Sequence, residues 1–228
     1  MSAGAILPSG RASQNRRNDP HGEKPARPSP SAIEHYYTKK PTSEFKTKTI
    51  SFEISGHQFK FITPSGVFSY GRVDPASLLL LTSAHIPQKA NILDLGCGWG
   101  FIGIAIKKLF PNTDVTMIDI NERALQLAKK NAKLNKTKVT VLQSDLFNAI
   151  PPQFDTILTN PPMKAGRALC YQIIEHSKSH LKLGGSLNLV ALHNRGGSML
   201  EKKMKEVFGN VETVAKKSGF RVYQSHSS

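Results

Sequence analysis

From residue 91 onward the sequence alternates short apolar runs with helical segments, and this regularity constrains the fold more than any other feature. The runs "NILDL", "DVTMIDI", "KVTVLQ", "FDTILT" and "SLNLVAL" have strand length and strand composition. Between them lie a helix from about 101 to 110, the helix "NERALQLAKKNAKLN", and a helix from about 166 to 182 that ends at a Gly184-Gly185 break. A further helix spans about 197 to 208. Repeated strand-helix units can bury their apolar faces only as a parallel sheet with helices on both sides. The last two runs, "NVETVAK" and "FRVYQS", have no helix between them and form a hairpin. The expectation is therefore an α/β domain over 73–228 with seven strands, mostly parallel, and an antiparallel strand at one end.

Upstream, Ile50, Phe52 and Ile54 alternate with polar residues, and Phe59 and Phe61 do so again after Ser55-Gly56, which predicts an N-terminal β-hairpin within 46–72. In "VDPASLLLLTSAHI", Asp74 suits an N-cap and Pro75 the first helical position. Residues 1–45 are rich in Pro, Ser, Gly, Arg and Asn, and predict a disordered basic tail. Its Arg11, Arg16, Arg17, Lys24 and Arg27 could graze a phosphate backbone, or the tail could be a passive solubilising extension.

The chain carries 31 Lys and Arg against 16 Asp and Glu, a net charge of +15, which favours a polyanionic partner such as nucleic acid. Cys97 and Cys170 offer neither a disulfide framework nor metal-ligand spacing, so a reduced cytoplasmic setting without metal is expected. The longest apolar stretch, around "LLLLT", falls far below the roughly 20 residues of a membrane span. The first 30 residues lack the apolar core of a secretory signal.

Chemistry concentrates where strands end. "DLGCGWGFIG" follows a strand and opens a helix, and Gly96, Gly98 and Gly100 let the backbone turn tightly beside a ligand. Such a turn alone could serve a dinucleotide or simple close packing. Asp94 narrows the choice, because a carboxylate there repels a pyrophosphate and attracts an ammonium group. Asp119 closes the second strand, where an acid suits ribose hydroxyls, and Asp145 closes the third, placed to accept from an adenine amine. Each Asp alone is as readily a turn or cap residue; three on successive strand ends are not. The fourth strand ends in "TNPPM", and two prolines cannot extend a sheet, so Asn160, Pro161 and Pro162 mark a turn at the ligand end.

The motifs "NILDLGCGWG", "IDIN", "SDLF" and "TNPPM", in that order, resemble the class I S-adenosylmethionine-dependent methyltransferases, with their Rossmann-like fold. The closer resemblance is to ribosomal RNA guanine-N2 methyltransferases of the RsmC type and their single-domain archaeal relatives. "SGVFSYGRVDPASLLLL" and "FGNVETVAKKSGFRVYQS" extend the likeness over residues 48–226. The RsmC type also carries a second, degenerate copy of the domain, with no counterpart in these 228 residues.

The resemblance implies S-adenosyl-L-methionine as cofactor, held by Phe68, Asp94, Gly96, Cys97, Gly98, Gly100, Asp119, Ile120, Asp145, Leu146 and Asn160. It implies Asn160, Pro161, Pro162 and Met163 as the catalytic turn, RNA as partner, and a monomer or weak dimer. The chemistry is intelligible. An exocyclic amine on a base is a poor nucleophile, because its lone pair is delocalised into the ring. Two acceptors, the Asn160 side-chain oxygen and the Pro161 carbonyl, would draw its protons towards pyramidal geometry on a backbone the prolines hold rigid. Met163 stands where this motif usually has an aromatic that stacks on the base, a role Phe68 could share. Alternatives are adenine N6 in RNA or DNA, a protein glutamine amide, or an inactive donor-binding RNA module. His193 and Arg195 follow "LNLVAL" on the ligand side and are left outside the site. Lys129, Lys130, Lys133, Lys136 and Lys138 read as a solvated helix face, unless they join Lys164 and Arg167 in a continuous basic surface.

Overall fold

The computed structural model of the chain describes residues 47–64 and 73–228. The expected tail, 1–45, and Phe68 lie outside the described residues. The chain opens with β1 (Thr47–Ile54) and β2 (His57–Pro64), paired antiparallel from Thr47 opposite Pro64 to Ile54 opposite His57. Ser55 and Gly56 join them, both at positive φ (50° and 77°), the backbone a tight two-residue hairpin turn requires.

There follow α1 (Pro75–Ser83), β3 (Asn91–Leu95), α2 (Phe101–Leu109), β4 (Asp114–Asp119), α3 (Glu122–Leu134) and β5 (Thr140–Gln143). The chain then forms β6 (Phe154–Thr159), α4 (Arg167–His180), β7 (Leu181–Leu192), α5 (Gly197–Phe208), β8 (Glu212–Lys217) and β9 (Phe220–His226). Asp74 caps α1 by accepting from the Ser77 N–H, with Pro75 in the first turn as expected. Asn121 caps α3, accepting from the N–H groups of Arg123 and Ala124.

β3 to β9 form one seven-stranded sheet in the order β5-β4-β3-β6-β7-β9-β8. β5, β4, β3, β6 and β7 are mutually parallel. β9 runs antiparallel to both neighbours, so the reversed strand lies one place in from the edge. From β3 the chain moves outward through β4 to β5, then crosses back to β6 on the other side. The carboxyl ends of β3 and β6 therefore flank the point where strand order reverses, the usual crevice for a ligand in an open α/β sheet.

Residues that alternate along the strands serve two separate cores. Ile92, Met117, Leu158, Val190 and Val222 face one side, with α1, α2, α3 and the N-terminal hairpin. Leu93, Ile118, Ile157, Leu189 and Tyr223 face the other, with α4 and α5. A sheet covered on both faces explains why its central strands read as continuous apolar runs. The hairpin docks through aromatic contacts: Phe61 lies 5.1 Å from Trp99 and 5.9 Å from Phe101, with Phe52 stacked on it at 5.7 Å.

One boundary differs from the sequence expectation. Gly184 and Gly185 do not separate α4 from a later strand: α4 ends at His180 and β7 already begins at Leu181. The pairing with β6 passes from Phe154 opposite Leu181 to Thr156 opposite Ser186, so the glycines form a bulge inside the strand. A Cβ on Gly185 would stand 3.0 Å from the carbonyl oxygens of Lys182 and Phe154. No helix among the described residues is long and apolar enough to cross a membrane.

Candidate active site

Four polar residues stand at the carboxyl ends of four adjacent strands. Asp94 of β3 is level with Met117 of β4 and Leu158 of β6. Asp119 and Asn160 therefore each stand two residues beyond the level of Asp94, on either side of it. Asp119 is in turn level with Gln143 of β5, which puts Asp145 two residues further at the third strand end.

Asp94 is buried, with 1% of its surface exposed, and its Oδ2 accepts from the Gly103 N–H at 2.8 Å in the first turn of α2. That helix comes so close because Gly103 has no side chain: a Cβ there would meet the Met117 sulfur at 2.5 Å. Burial pushes the Asp94 carboxyl up to about 7; the Gly103 N–H opposes the shift and the Asp119 charge adds to it.

Between the two carboxylates runs the glycine-rich loop. The N–H groups of Gly96 and Cys97 donate to the Ile118 carbonyl, each at 2.9 Å. The Gly98 N–H donates to Asp119 Oδ2 at 2.8 Å, and the Asn121 N–H to Asp119 Oδ1 at 2.8 Å. Burial raises the Asp119 pKa, and these backbone donors oppose it. A carboxylate has about four acceptor positions, so Asp119 retains capacity for further donors. Gly100 begins α2 at φ 89°, where a Cβ would meet Ile104 Cδ1 at 2.8 Å. Cys97 is buried, and its thiol is held well above its usual range by burial and by the charges of Asp94 and Asp119, so it stays neutral.

The other wall is the Asn-Pro-Pro turn. Thr159 Oγ1 donates to the Leu95 carbonyl at 3.0 Å, tying the ends of β6 and β3. Asn160 Nδ2 then donates to Asp74 Oδ2 at 2.7 Å and to Ser77 Oγ at 3.0 Å. Asp74 Oδ2 also takes the Ser77 N–H and hydroxyl at 3.0 and 2.9 Å. With both amide protons engaged on α1, the Asn160 Oδ1 is left as the acceptor. The Pro161 carbonyl accepts from the Met163 N–H at 2.8 Å across Pro162, whose φ of −75° and ψ of 73° define an inverse γ-turn. One lone pair of that carbonyl remains.

Met163 is half-buried. Its sulfur lies 3.9 Å from Cys170 Sγ, and its methyl occupies the space that a Cβ on Gly196 would enter, 2.8 Å away. Asp145 is exposed, and Leu146 beside it adopts φ 51°, its carbonyl accepting from Ser144 Oγ at 2.7 Å. Ile120 is half-buried, and its carbonyl accepts from Gln143 Nε2 at 3.0 Å.

Sequence reasoning missed two supports. Ser77 completes the clamp on Asn160. Asn131 of α3, fully buried, exchanges two hydrogen bonds with the Ile62 backbone (2.7 and 2.9 Å) and donates a third to the Trp99 carbonyl inside the glycine loop. Asn135, one turn on, does the same for Lys60 at 3.1 and 2.7 Å. The signal available was the pair of Asn residues four apart in "KKNAKLN", poor helix formers that need a reason to be there. Among the described residues no group of three or more His, Cys, Asp or Glu comes together to hold a metal ion.

Comparison with known proteins places this geometry. The profile of the methyltransferase small domain family matches residues 58–224. The uncharacterized protein YbxB of Bacillus subtilis is 40% identical over 196 residues, covering 84% of this chain and 98% of YbxB. Ribosomal RNA small subunit methyltransferase C of Hamiltonella defensa is 33% identical over 191 residues, covering 82% of this chain and 55% of that protein. Among solved structures, the T. thermophilus 16S rRNA N2 G1207 methyltransferase (RsmC), in complex with AdoMet and guanosine, superimposes with a TM-score of 0.69 at 26% identity. It matches over 83% of this chain and 52% of its own. The chain spans about half the length of the methyltransferase C relatives it matches.

Proposed function

We propose, because the chain belongs to the methyltransferase small domain family, that it methylates the exocyclic N2 amine of a guanosine, in small-subunit ribosomal RNA. The chain is an RsmC-like class I methyltransferase, and its cofactor is S-adenosyl-L-methionine. The residues present fit that cofactor: a buried carboxylate, Asp94, and a half-buried one, Asp119, flank a backbone loop in which a Cβ on Gly96 would meet nothing within 4 Å.

S-adenosyl-L-methionine, when bound, supplies an electrophilic methyl group on a sulfonium centre. In this reading the chain's residues do the rest. Asp94 pairs with the ammonium of the amino-acid portion, Asp119 accepts from the ribose hydroxyls, and Asp145 accepts from the adenine amine. Asn160 Oδ1 and the Pro161 carbonyl accept hydrogen bonds from the two N–H groups of the guanine amine and turn its lone pair towards the methyl group. Both acceptors are oriented before the base arrives, so little reorganisation is required. No strong base is needed before attack, because the nitrogen becomes acidic only once methylated, and its proton then passes to water. Met163, fixed by Cys170 and Gly196, offers a polarizable thioether to the base face in place of an aromatic ring.

The observation that carries this reading is the clamp on Asn160: Asp74 and Ser77 hold its amide nitrogen, so its oxygen is committed to an amine donor. The net charge of +15 favours RNA over a protein glutamine, and the ribosomal RNA enzymes among its relatives favour a cytoplasmic RNA. The test is mass-spectrometric nucleoside analysis of ribosomal RNA treated with the protein and methyl donor. N2-methylguanosine is expected. N6-methyladenosine, or no methylated nucleoside at all, would overturn the assignment.

A further inference from the structure

We propose that the groove between the 3-10 turn His193–Arg195 and the tip of the β8–β9 hairpin binds the phosphodiester backbone of the RNA substrate, beside the reacting base. The proposal rests on RNA being the acceptor, and it is independent of which base is methylated.

The topology brings the groove to the site. Thr159, the last residue of β6, is level with Leu189, so β7 runs three residues beyond β6 at the end where Asn160 stands. β9 begins with Phe220 opposite Leu192, which places the hairpin tip, Ser218-Gly219, at that same end of the sheet. The His193 N–H donates to the Gly219 carbonyl at 3.0 Å, joining the turn to the tip. Together they wall a groove of about 300 Å³ lined by His193, Asn194, Lys216, Lys217 and Arg221. The turn ends at Gly196, and the Met163 methyl packs directly on Gly196. The groove's wall at Asn194 thus stands two residues before Gly196, the support of the Asn-Pro-Pro-Met turn.

Its charge is uncompensated. Lys216 and Lys217 are exposed and Arg221 is half-buried, and none of the three forms an ion pair among the described residues. Glu201 stands behind His193 and outside the lining: its Oε1 accepts from Thr213 Oγ1 at 3.3 Å, and its Oε2 lies 4.0 Å from His193 Nδ1. Three cations lining one groove with no carboxylate among its walls are an anion site in electrostatic terms, and repeated phosphates are the anion that satisfies several at once. Arg221 presents the planar fork that suits a phosphate, whereas the two lysines act as movable point charges.

His193 is held in place for the same purpose. Its Nδ1 shares a 2.8 Å hydrogen bond with the Tyr223 hydroxyl, and Tyr223 is fully buried, its phenol pushed up to about 12 by burial and by the Glu201 charge. A neutral phenol thus fixes the imidazole through one nitrogen and leaves Nε2 as its remaining polar atom. Gly197 allows the chain to pass behind, since a Cβ there would stand 2.7 Å from the Leu192 carbonyl oxygen and 3.2 Å from the Tyr223 hydroxyl. A turn held by Tyr223, with His193 in the groove wall and a cationic hairpin tip joined to it, can position a strand but adds nothing to donor binding.

The test is RNA binding by the full-length Lys216→Ala/Lys217→Ala protein as a function of salt. Both side chains are exposed, so the thermal midpoint and the affinity for S-adenosylmethionine should match wild type. The slope of log affinity against log salt should fall by about 1.5, the loss of two phosphate contacts. At saturating donor, KM for RNA should rise roughly tenfold while kcat is unchanged. The control removes two charges from α3, Lys129→Ala/Lys130→Ala, at the β5 side of the sheet, and should leave slope and KM unchanged. An unchanged slope in the hairpin variant, or equal falls in both variants, would overturn the proposal. A lowered slope in a protein that methylates some other base would leave the groove standing and refute the N2 assignment instead.

Discussion

The Asp94 carboxyl, buried and raised to about 7, makes donor binding depend on pH in a direction the structure fixes. In the donor-free protein, Asp94 holds a proton between its unfolded value of 3.8 and about 7, where the unfolded chain has released it. Acid therefore stabilises the donor-free fold through this group, and that contribution is lost as pH rises through the same window. The donor has the opposite demand. With the ammonium paired to Asp94 as proposed, binding below pH 7 must release the proton, and affinity should fall about tenfold for each pH unit below 7. From pH 7.5 to 5.5 the loss is on the order of 30-fold. Of the neighbours, Cys97 stays neutral throughout, and burial also raises Asp119, whose own titration persists in Asp94→Asn and is thereby separated from that of Asp94. Asp94→Asn keeps the shape and removes the titration. Its affinity at pH 7.5 should be about 10 to 100 fold weaker than wild type, and its profile between pH 5.5 and 7.5 clearly shallower. Isothermal calorimetry in buffers of different ionisation enthalpy measures both the affinity and the released proton. A wild-type profile that is flat across this range, or an Asp94→Asn profile as steep as wild type, would refute the assignment of the ammonium to Asp94.

Three further outcomes follow from the same geometry. Asn131→Leu keeps the volume of a fully buried side chain but strands the Ile62 backbone pair and the Trp99 carbonyl. It should cost about 3 kcal/mol in denaturant titration, against about 1 kcal/mol for Asn135→Leu, whose Lys60 partner is open to water; equal costs would show that burial is not the cause. Asp74→Ala removes both the α1 cap and the hold on the Asn160 amide, so it should lose about 1 kcal/mol of stability and roughly tenfold in kcat with donor affinity unchanged, a split that a purely capping Asp74 would not give. Removal of residues 1–45 should lower RNA affinity and its salt slope while sparing donor binding, and an unchanged slope would make the tail passive.

How much was legible in the sequence depended on the range of the interaction. The strand runs, the glycine-rich turn and the Asp74 cap are local patterns, fixed by side-chain period and by bonds three residues apart, and each appears where the residues predicted it. The second use of Asp74, as the hold on Asn160, joins residues 86 apart and leaves no local trace. The same holds for Asn131 and Asn135, which reach back 69 and 75 residues to β2. Gly184-Gly185 misled because a glycine pair reads equally as a break or a bulge, and only the register of β6 decides. Met163 stood out as a missing aromatic, but its packing on Cys170 and Gly196 depends on how α4 and the turn before α5 meet.

The central claim is that the Asn160 oxygen is one of two oriented acceptors for the amine that receives the methyl group. Single-turnover methylation of ribosomal RNA at saturating donor measures that step directly, in wild type, Asn160→Ala and Asn160→Asp. Asn160→Ala should keep the fold and donor affinity and lose roughly 100 to 1000 fold in rate, the usual cost of one preorganised hydrogen bond in a transition state. Asn160→Asp keeps an acceptor but sets a second carboxylate against Asp74 Oδ2, and should fall between Ala and wild type. A wild-type rate in Asn160→Ala would contradict the role of the Asn-Pro-Pro turn and the acceptor class inferred from it.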